Sequence, residues 1–211
     1  MRTVRLVADP YPPYQYEDAG VIRGMDYDTI RRAFRALPFA LNIELHPWDE
    51  CLRRVDAGTA DGVFQITKTA EREARYLFST LLRTEEMALF ARVDGPASAD
   101  SAGIGPETTG SHVLGVLQGY IYGPAIDAIP EGRKLKVPGQ EDLLRALDER
   151  RCDLVVMDTG VAEHVAGKLG IADVRRLDGF ALKRDLYVAF RPGSEAIVAA
   201  LDDQLLKAHA D

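Results

Sequence analysis

Arg72 lies three residues after Thr69 in the run Ile66-Thr67-Lys68-Thr69-Ala70-Glu71-Arg72. That spacing puts both residues near one helix start. A guanidinium held there can grip a carboxylate through two parallel hydrogen bonds, and the Thr67 hydroxyl can add a further contact. The plainer alternatives are a surface arginine among Glu71, Glu73 and Arg75, and, for Thr67, simple strand propensity. Asp158 closes the apolar run Leu154-Val155-Val156-Met157. A carboxylate at the end of an α/β strand stands where such sheets meet ligands, and it suits a ligand ammonium. It suits equally well the cap of a helix beginning at Thr159. Trp48, the only tryptophan, follows Pro47. Its ring face offers apolar or cation–π contact, with a core role as the alternative.

These groups need strands and helices to hold them. Strand-like runs alternate with amphipathic helical runs along most of the chain. Residues 4–8 read as a strand, and Asp26 marks an N-cap region for a helix through Ile30, Ala33, Phe34 and Leu37, stopped by Pro38. Leu41, Ile43 and Leu45 alternate as a strand. A helix through Leu52 and Val55 ends at Gly58, and Gly62-Val63-Phe64 is a short buried strand. Residues 87–93 form another strand. The small, turn-rich stretch 95–103 reads as a loop near a lobe boundary.

The pattern then restarts. Strands are expected at 112–117, 135–137 and 153–157, with helices opening at Gly119 and covering 141–150 and 159–169. A last strand at 186–190 and a helix through Ile197, Leu201 and Leu205 close the chain. The βαβα order predicts mostly parallel strands with helices on their faces. The final strand and helix have no partner in the second unit. The expected division is therefore 1–92 plus 186–211 as lobe one and 93–185 as lobe two. Two crossings make a hinge, and a cleft between lobes is a natural ligand site.

Bulk properties exclude several classes. The 211 residues carry 46% hydrophobic and 28% charged residues with a net charge of −7, ordinary for a globular protein. An acidic chain disfavours nucleic-acid binding, which needs a basic face. No run reaches the roughly 18 apolar residues that span a bilayer. The start Met1-Arg2-Thr3 leads straight into a strand with no signal peptide, which fits either a cytoplasmic protein or one whose signal has been removed. Cys51 and Cys152 form no metal or redox motif and read as two buried thiols. His46, His112, His164 and His209 are scattered, so no metal and no cofactor are expected. Gly103-Ile104-Gly105 does not continue as a dinucleotide fingerprint. No G-x-S-x-G, P-loop or H-E-x-x-H occurs.

Four segments together resemble the bacterial extracellular solute-binding proteins of the amino-acid-binding type. The first is Asp9-Pro10-Tyr11-Pro12-Pro13-Tyr14-Gln15-Tyr16 with Gly20 and Gly24-Met25-Asp26-Tyr27-Asp28. The others are Trp48 with Gly58-Thr59-Ala60-Asp61-Gly62, then Ile66 to Arg72 with Phe78-Ser79, and lastly Cys152 to Thr159. The resemblance implies a two-lobed periplasmic-binding-protein type 2 α/β fold, with two mixed sheets, flanking helices and a two-strand hinge. It implies a periplasmic, monomeric, non-enzymatic protein that delivers a small amino-acid-like ligand to a membrane ABC permease.

The resemblance also implies site roles: Arg72 and Thr67 on a ligand carboxylate, Asp158 on its ammonium, and Tyr11 and Trp48 sandwiching its side chain. Tyr14 and Tyr16 are weaker candidates. The chain departs from the family in three places. Met25 replaces an aromatic, Gln65 stands where glycine is common, and the Gly119-Tyr120-Ile121-Tyr122 loop carries two tyrosines in place of small residues. Gln65, Gly119, Tyr120 and Tyr122 join the ligand-binding set on this reading. Two rival readings stay open: a cyclohexadienyl dehydratase-like enzyme on the same fold, with Asp158 and Glu163 as its acids, and the ligand-sensing domain of a signalling receptor.

Overall fold

A computed structural model of the chain describes residues 2–95, 112–120 and 122–208. The chain divides into two compact units, Met1–Glu85 with Arg184–Asp211, and Glu86–Lys183. Each has its own α/β core, as the alternation of strand and helix patterns predicts.

In unit one the run Val4-Arg5-Leu6-Val7-Ala8 forms β1 (Thr3–Ala8). β1 lies between two parallel neighbours, β4 (Ala40–Leu45) and β5 (Gly62–Ile66). A strand covered on both faces must be apolar at consecutive positions. Val4, Leu6 and Ala8 pack on one face with helix α1 (Met25–Arg35) and helix α7 (Glu195–Ala208). Val7 packs on the other with Cys51 and Val55 of helix α2 (Trp48–Asp56). Phe64 and Phe190 are fully buried, and burying each such ring stabilises the unit by about 1.5–3 kcal/mol. Between β1 and α1 the turn Ala19-Gly20, with φ of 49° and 77°, closes a hairpin of β2 (Tyr16–Asp18) and β3 (Val21–Arg23). Two residues at positive φ suit the right-handed twist of a short hairpin.

Unit two repeats the plan. β7 (Leu114–Leu117) pairs in parallel with β8 (Lys134–Val137) and β9 (Leu154–Asp158). Helices α5 (Gln140–Asp148) and α6 (Thr159–Leu169) bury Leu143, Leu144, Leu147, Val161 and Val165. Gly115 lets α5 approach, because a Cβ there would lie 2.9 Å from Leu143 Cδ1. Both cysteines are buried free thiols, and burial pushes each up to about 12.

Several expectations are corrected. The strand placed at 87–93 is β6 (Leu77–Arg92), and the one placed at 186–190 is β10 (Val174–Phe190). Their charged stretches, Arg83-Thr84-Glu85-Glu86 and Lys183-Arg184-Asp185, broke the apolar signal. Each of these strands continues from one unit into the other. No helix opens at Gly119. That residue takes φ +79° in a turn, and the one-turn helix α4 (Pro124–Asp127) starts later. Asp26 is not the cap of α1; Gly24 holds that position without a side-chain bond. The helix ends at Arg35, before Pro38. The loop expected at 95–103, Gly103-Ile104-Gly105 and His209 lie outside the described residues, except Gly95. Among those described, no helix is long and apolar enough to cross a membrane.

Candidate functional site

The candidate residues of unit one gather at one end of its sheet. Tyr11 and Tyr14 follow β1, Trp48 follows β4, and Thr67 and Arg72 follow β5. Because the three strands are parallel, these positions share the carboxyl ends, where α/β sheets meet their ligands.

Thr69 caps the one-turn helix α3 (Ala70–Glu73) by accepting from the Arg72 N–H at 3.2 Å. The Arg72 side chain then folds back, and Nη1 donates to the Thr67 carbonyl at 3.0 Å and to its hydroxyl at 2.6 Å. Its Cζ lies 5.8 Å from the Trp48 ring centre. Arg72, Thr67 and Trp48 therefore form one group. Burial lowers the Arg72 pKa, yet a guanidinium stays charged. Among the described residues no carboxylate makes an ion pair with Arg72. The neighbouring Arg75 takes Asp56 at 2.6 Å and Glu71 at 3.9 Å.

Tyr11 and Tyr14 stack with centroids 6.0 Å apart. Two buried ion pairs hold them. The Tyr11 hydroxyl donates to Glu85 Oε1 at 3.0 Å, while Arg184 donates to Glu85 Oε2 from Nε at 2.9 Å and Nη2 at 2.6 Å. The Arg83 Cζ sits 3.4 Å from the Tyr14 ring centre, and its Nε donates to Asp26 Oδ2 at 2.9 Å. Gln65 Nε2 donates to the same oxygen at 2.8 Å.

Gln65 does this from φ +62°, beside a register shift between β5 and β10. A bulge residue in this conformation is most often glycine. Glu85, Arg83 and Arg184 were missed in the sequence as parts of this site, and Asp26 reads there as a helix cap. The available signal was charge inside strand-forming runs, which marks inward polar contacts when the strand is buried.

Asp9, just past β1, was also passed over. It is half-buried. Burial pushes its carboxyl up to about 6; a backbone hydrogen bond opposes this and the Glu85 charge adds to it. An unfolded aspartate titrates near 4. Between about pH 4 and 6 the folded chain keeps a proton the unfolded chain has released, so stability falls as pH rises through that window. Asp9→Asn is expected to raise stability by about 1–2 kcal/mol at pH 7.5, allowing for partial exposure, and hardly at all at pH 4. Thermal melts at the two pH values check this; equal shifts at both would show that the charge is not the cause.

Unit two presents its candidates at the ends of β7 and β9. Gly119 makes the turn after β7. Tyr120 is partly exposed, with its ring 5.9 Å from that of Tyr122. Tyr122 is built into the unit's core beside Met87 and Ile126, and its hydroxyl accepts from the Leu117 N–H at 2.9 Å. Ile121 lies outside the described residues. Asp158 is buried, and its Oδ1 accepts from the Val161 N–H at 2.9 Å as the cap of α6. The capping alternative is therefore realised. Among the described residues no three His, Cys, Asp or Glu side chains gather as a metal site.

The fold is of the two-unit α/β type, with the candidate side chains gathered at strand ends. The model of the bacterial extracellular solute-binding proteins, family 3, matches residues 4–211, and the chain belongs to that family. A search of curated proteins gave no match. Among solved structures, a histidine kinase sensor domain with similarity to periplasmic binding proteins aligns with TM-score 0.84 at 20% identity, covering 99% of this chain and 91% of that one. An ancestral arginine-binding protein bound to arginine aligns with TM-score 0.80 at 20% identity, covering 100% and 94%. The arginine-, lysine-, histidine-binding protein ArtJ from Geobacillus stearothermophilus aligns with TM-score 0.79 at 18% identity, covering 99% and 90%. At such identities the likeness is one of fold.

Proposed function

We propose that this chain is an extracytoplasmic solute-binding protein that captures a small carboxylate-bearing ligand, an amino acid or a close relative, for an ABC importer. The observation that carries this is Arg72. It is a half-buried cation laid against Trp48, oriented by Thr67, and without an ion-pair partner among the described residues. A cation so placed is completed by an anion from outside. Asp9 and the stacked tyrosines supply an acidic and an aromatic surface for the rest of the ligand. Tyr120 and Asp158 occupy the corresponding strand ends of unit two. The amino-acid-binding relatives support the ligand class, and the chain acts as a binder, not an enzyme.

The likeness to a histidine kinase sensor domain favours a second reading, in which the same ligand chemistry feeds a signalling receptor. The ligand test is common to both. Thermal melts against amino acids, polyamines, small organic acids and prephenate are expected to show a rise with one carboxylate-bearing class, because a ligand bound by the native state stabilises it. Arg72→Ala should weaken that ligand by about 2–4 kcal/mol while leaving the unliganded melt nearly unchanged. Undiminished binding by the variant would remove Arg72 from the site. Turnover of prephenate would move the assignment to an enzyme.

A further inference from the structure

The outer edge of β4 is open: its six residues pair with β1 on one side, and among the described residues no strand lies on the other. The ladder tells which amides face out. The Ala40 N–H donates to the Arg2 carbonyl and the His46 N–H to the Ala8 carbonyl. Backbone groups alternate sides along a strand, so those of Leu41, Ile43 and Leu45 point to the open edge. Beside this edge, α1 and β4 enclose a groove of about 250 Å³ lined by Phe34, Phe39, Leu41, Ile43, Tyr27 and the guanidinium-bearing Arg31 and Arg35. Among the described residues no carboxylate lines it. Arg31 lies over the Tyr27 ring at 5.3 Å, and among the described residues neither arginine makes an ion pair. In a chain of net charge −7 this leaves a local basic patch beside an apolar floor.

We infer that this edge and groove form a docking surface for an extended acidic segment of a partner protein, added as a strand alongside β4. The three outward residues supply main-chain hydrogen bonds, the apolar floor takes alternate side chains, and Arg31 and Arg35 meet the carboxylates between them. A second copy of this chain fits poorly. A two-fold interface uses the same patch on both sides, which would bring the arginines against each other.

The test is hydrogen exchange by NMR on the full chain, titrated with blocked hexapeptides that alternate Glu with Leu, Phe or Val. Amide exchange at Leu41, Ile43 and Leu45 should slow by about tenfold or more on binding, while the even-numbered residues of β4, already paired, change little. Arg31→Glu with Arg35→Glu, both exposed and on the solvent side of α1, should abolish that protection without altering the melt. Absence of protection with every peptide, or protection retained in the double variant, overturns the inference. So does protection that grows with protein concentration alone, which would indicate self-pairing. Sedimentation with phosphatidylglycerol vesicles in place of peptide protection would assign the patch to a lipid surface and overturn it equally.

Discussion

Glu85→Ala should lower the folding free energy by about 3–5 kcal/mol, seen as a lower denaturant midpoint with an unchanged slope. Glu85 is 2% exposed. Removing its carboxylate takes from the partly buried Arg184 guanidinium its hydrogen bonds at 2.9 and 2.6 Å, and from the Tyr11 hydroxyl the one at 3.0 Å. Three charge-assisted hydrogen bonds to one buried carboxylate are lost at once, and each is worth about 1.5–3 kcal/mol. Two controls separate the contributions. Glu85→Gln keeps an acceptor for Tyr11 but loses the ion pair, and should fall between. Glu85→Met with Arg184→Met removes both charges and should recover part of the loss, because apolar replacement of a buried pair is often neutral. A loss below about 1 kcal/mol for Glu85→Ala would show that water reaches the pair and that it does not anchor the site.

The placement of this pair in the chain gives it a second consequence. Glu85 is the last residue of unit one on β6, and Arg184 is its first on β10. Thr84 and Asp185, one step away, bond through the Thr84 hydroxyl at 2.7 Å. The two crossing strands are thus tied together beside the tyrosine that the proposed ligand would touch. Any ligand that moves Tyr11 acts on this tie directly, so the variants that weaken it should also weaken the ligand-induced rise in melting temperature.

Much of the architecture was legible because it rests on signals the sequence carries locally. The apolar run at residues 4–8 and the helix at 159–169 lie where their patterns put them. Arg72, Thr67 and Trp48, chosen from residue type and from resemblance, come together at one end of a sheet. What escaped has a common cause. The strands β6 and β10 each run through charged sequence in mid-strand, and no local window reveals that Glu85 will meet Arg184, 99 residues away. The same holds for Asp26, which looks like a cap because it opens a helix, yet is drawn inward by Arg83 and Gln65. Asp9 was passed over because burial, not residue type, makes it unusual. Asp158 shows the converse: two roles fit one position, and the local one, capping, is the one its Oδ1 plays.

Gly24→Ala is expected to be the other severe single change, at about 3–5 kcal/mol. Gly24 has φ +128°, and a Cβ there would stand 2.2 Å from the Tyr14 oxygen and 2.4 Å from its carbonyl carbon. Those are backbone atoms, so no rotamer change relieves the clash. The closeness has a purpose. The first amides of α1 lack partners within the helix, and they donate outward: Met25 to the Pro13 carbonyl at 3.2 Å, Asp26 and Tyr27 to the Tyr14 carbonyl at 3.0 and 3.3 Å. The loop bearing Tyr11 and Tyr14 is thereby seated on the helix start, and a methyl group would push it off and orphan those donors. Gly20→Ala is the control for conformation alone, since Gly20 also has positive φ, +77°, but nothing within 4 Å of its missing Cβ. It should cost only about 1 kcal/mol. Equal losses for the two variants, by denaturant unfolding, would mean that the loop shifts without penalty. A loss several times larger at Gly24, together with a vanished ligand response, would show that this glycine is what places the aromatic floor.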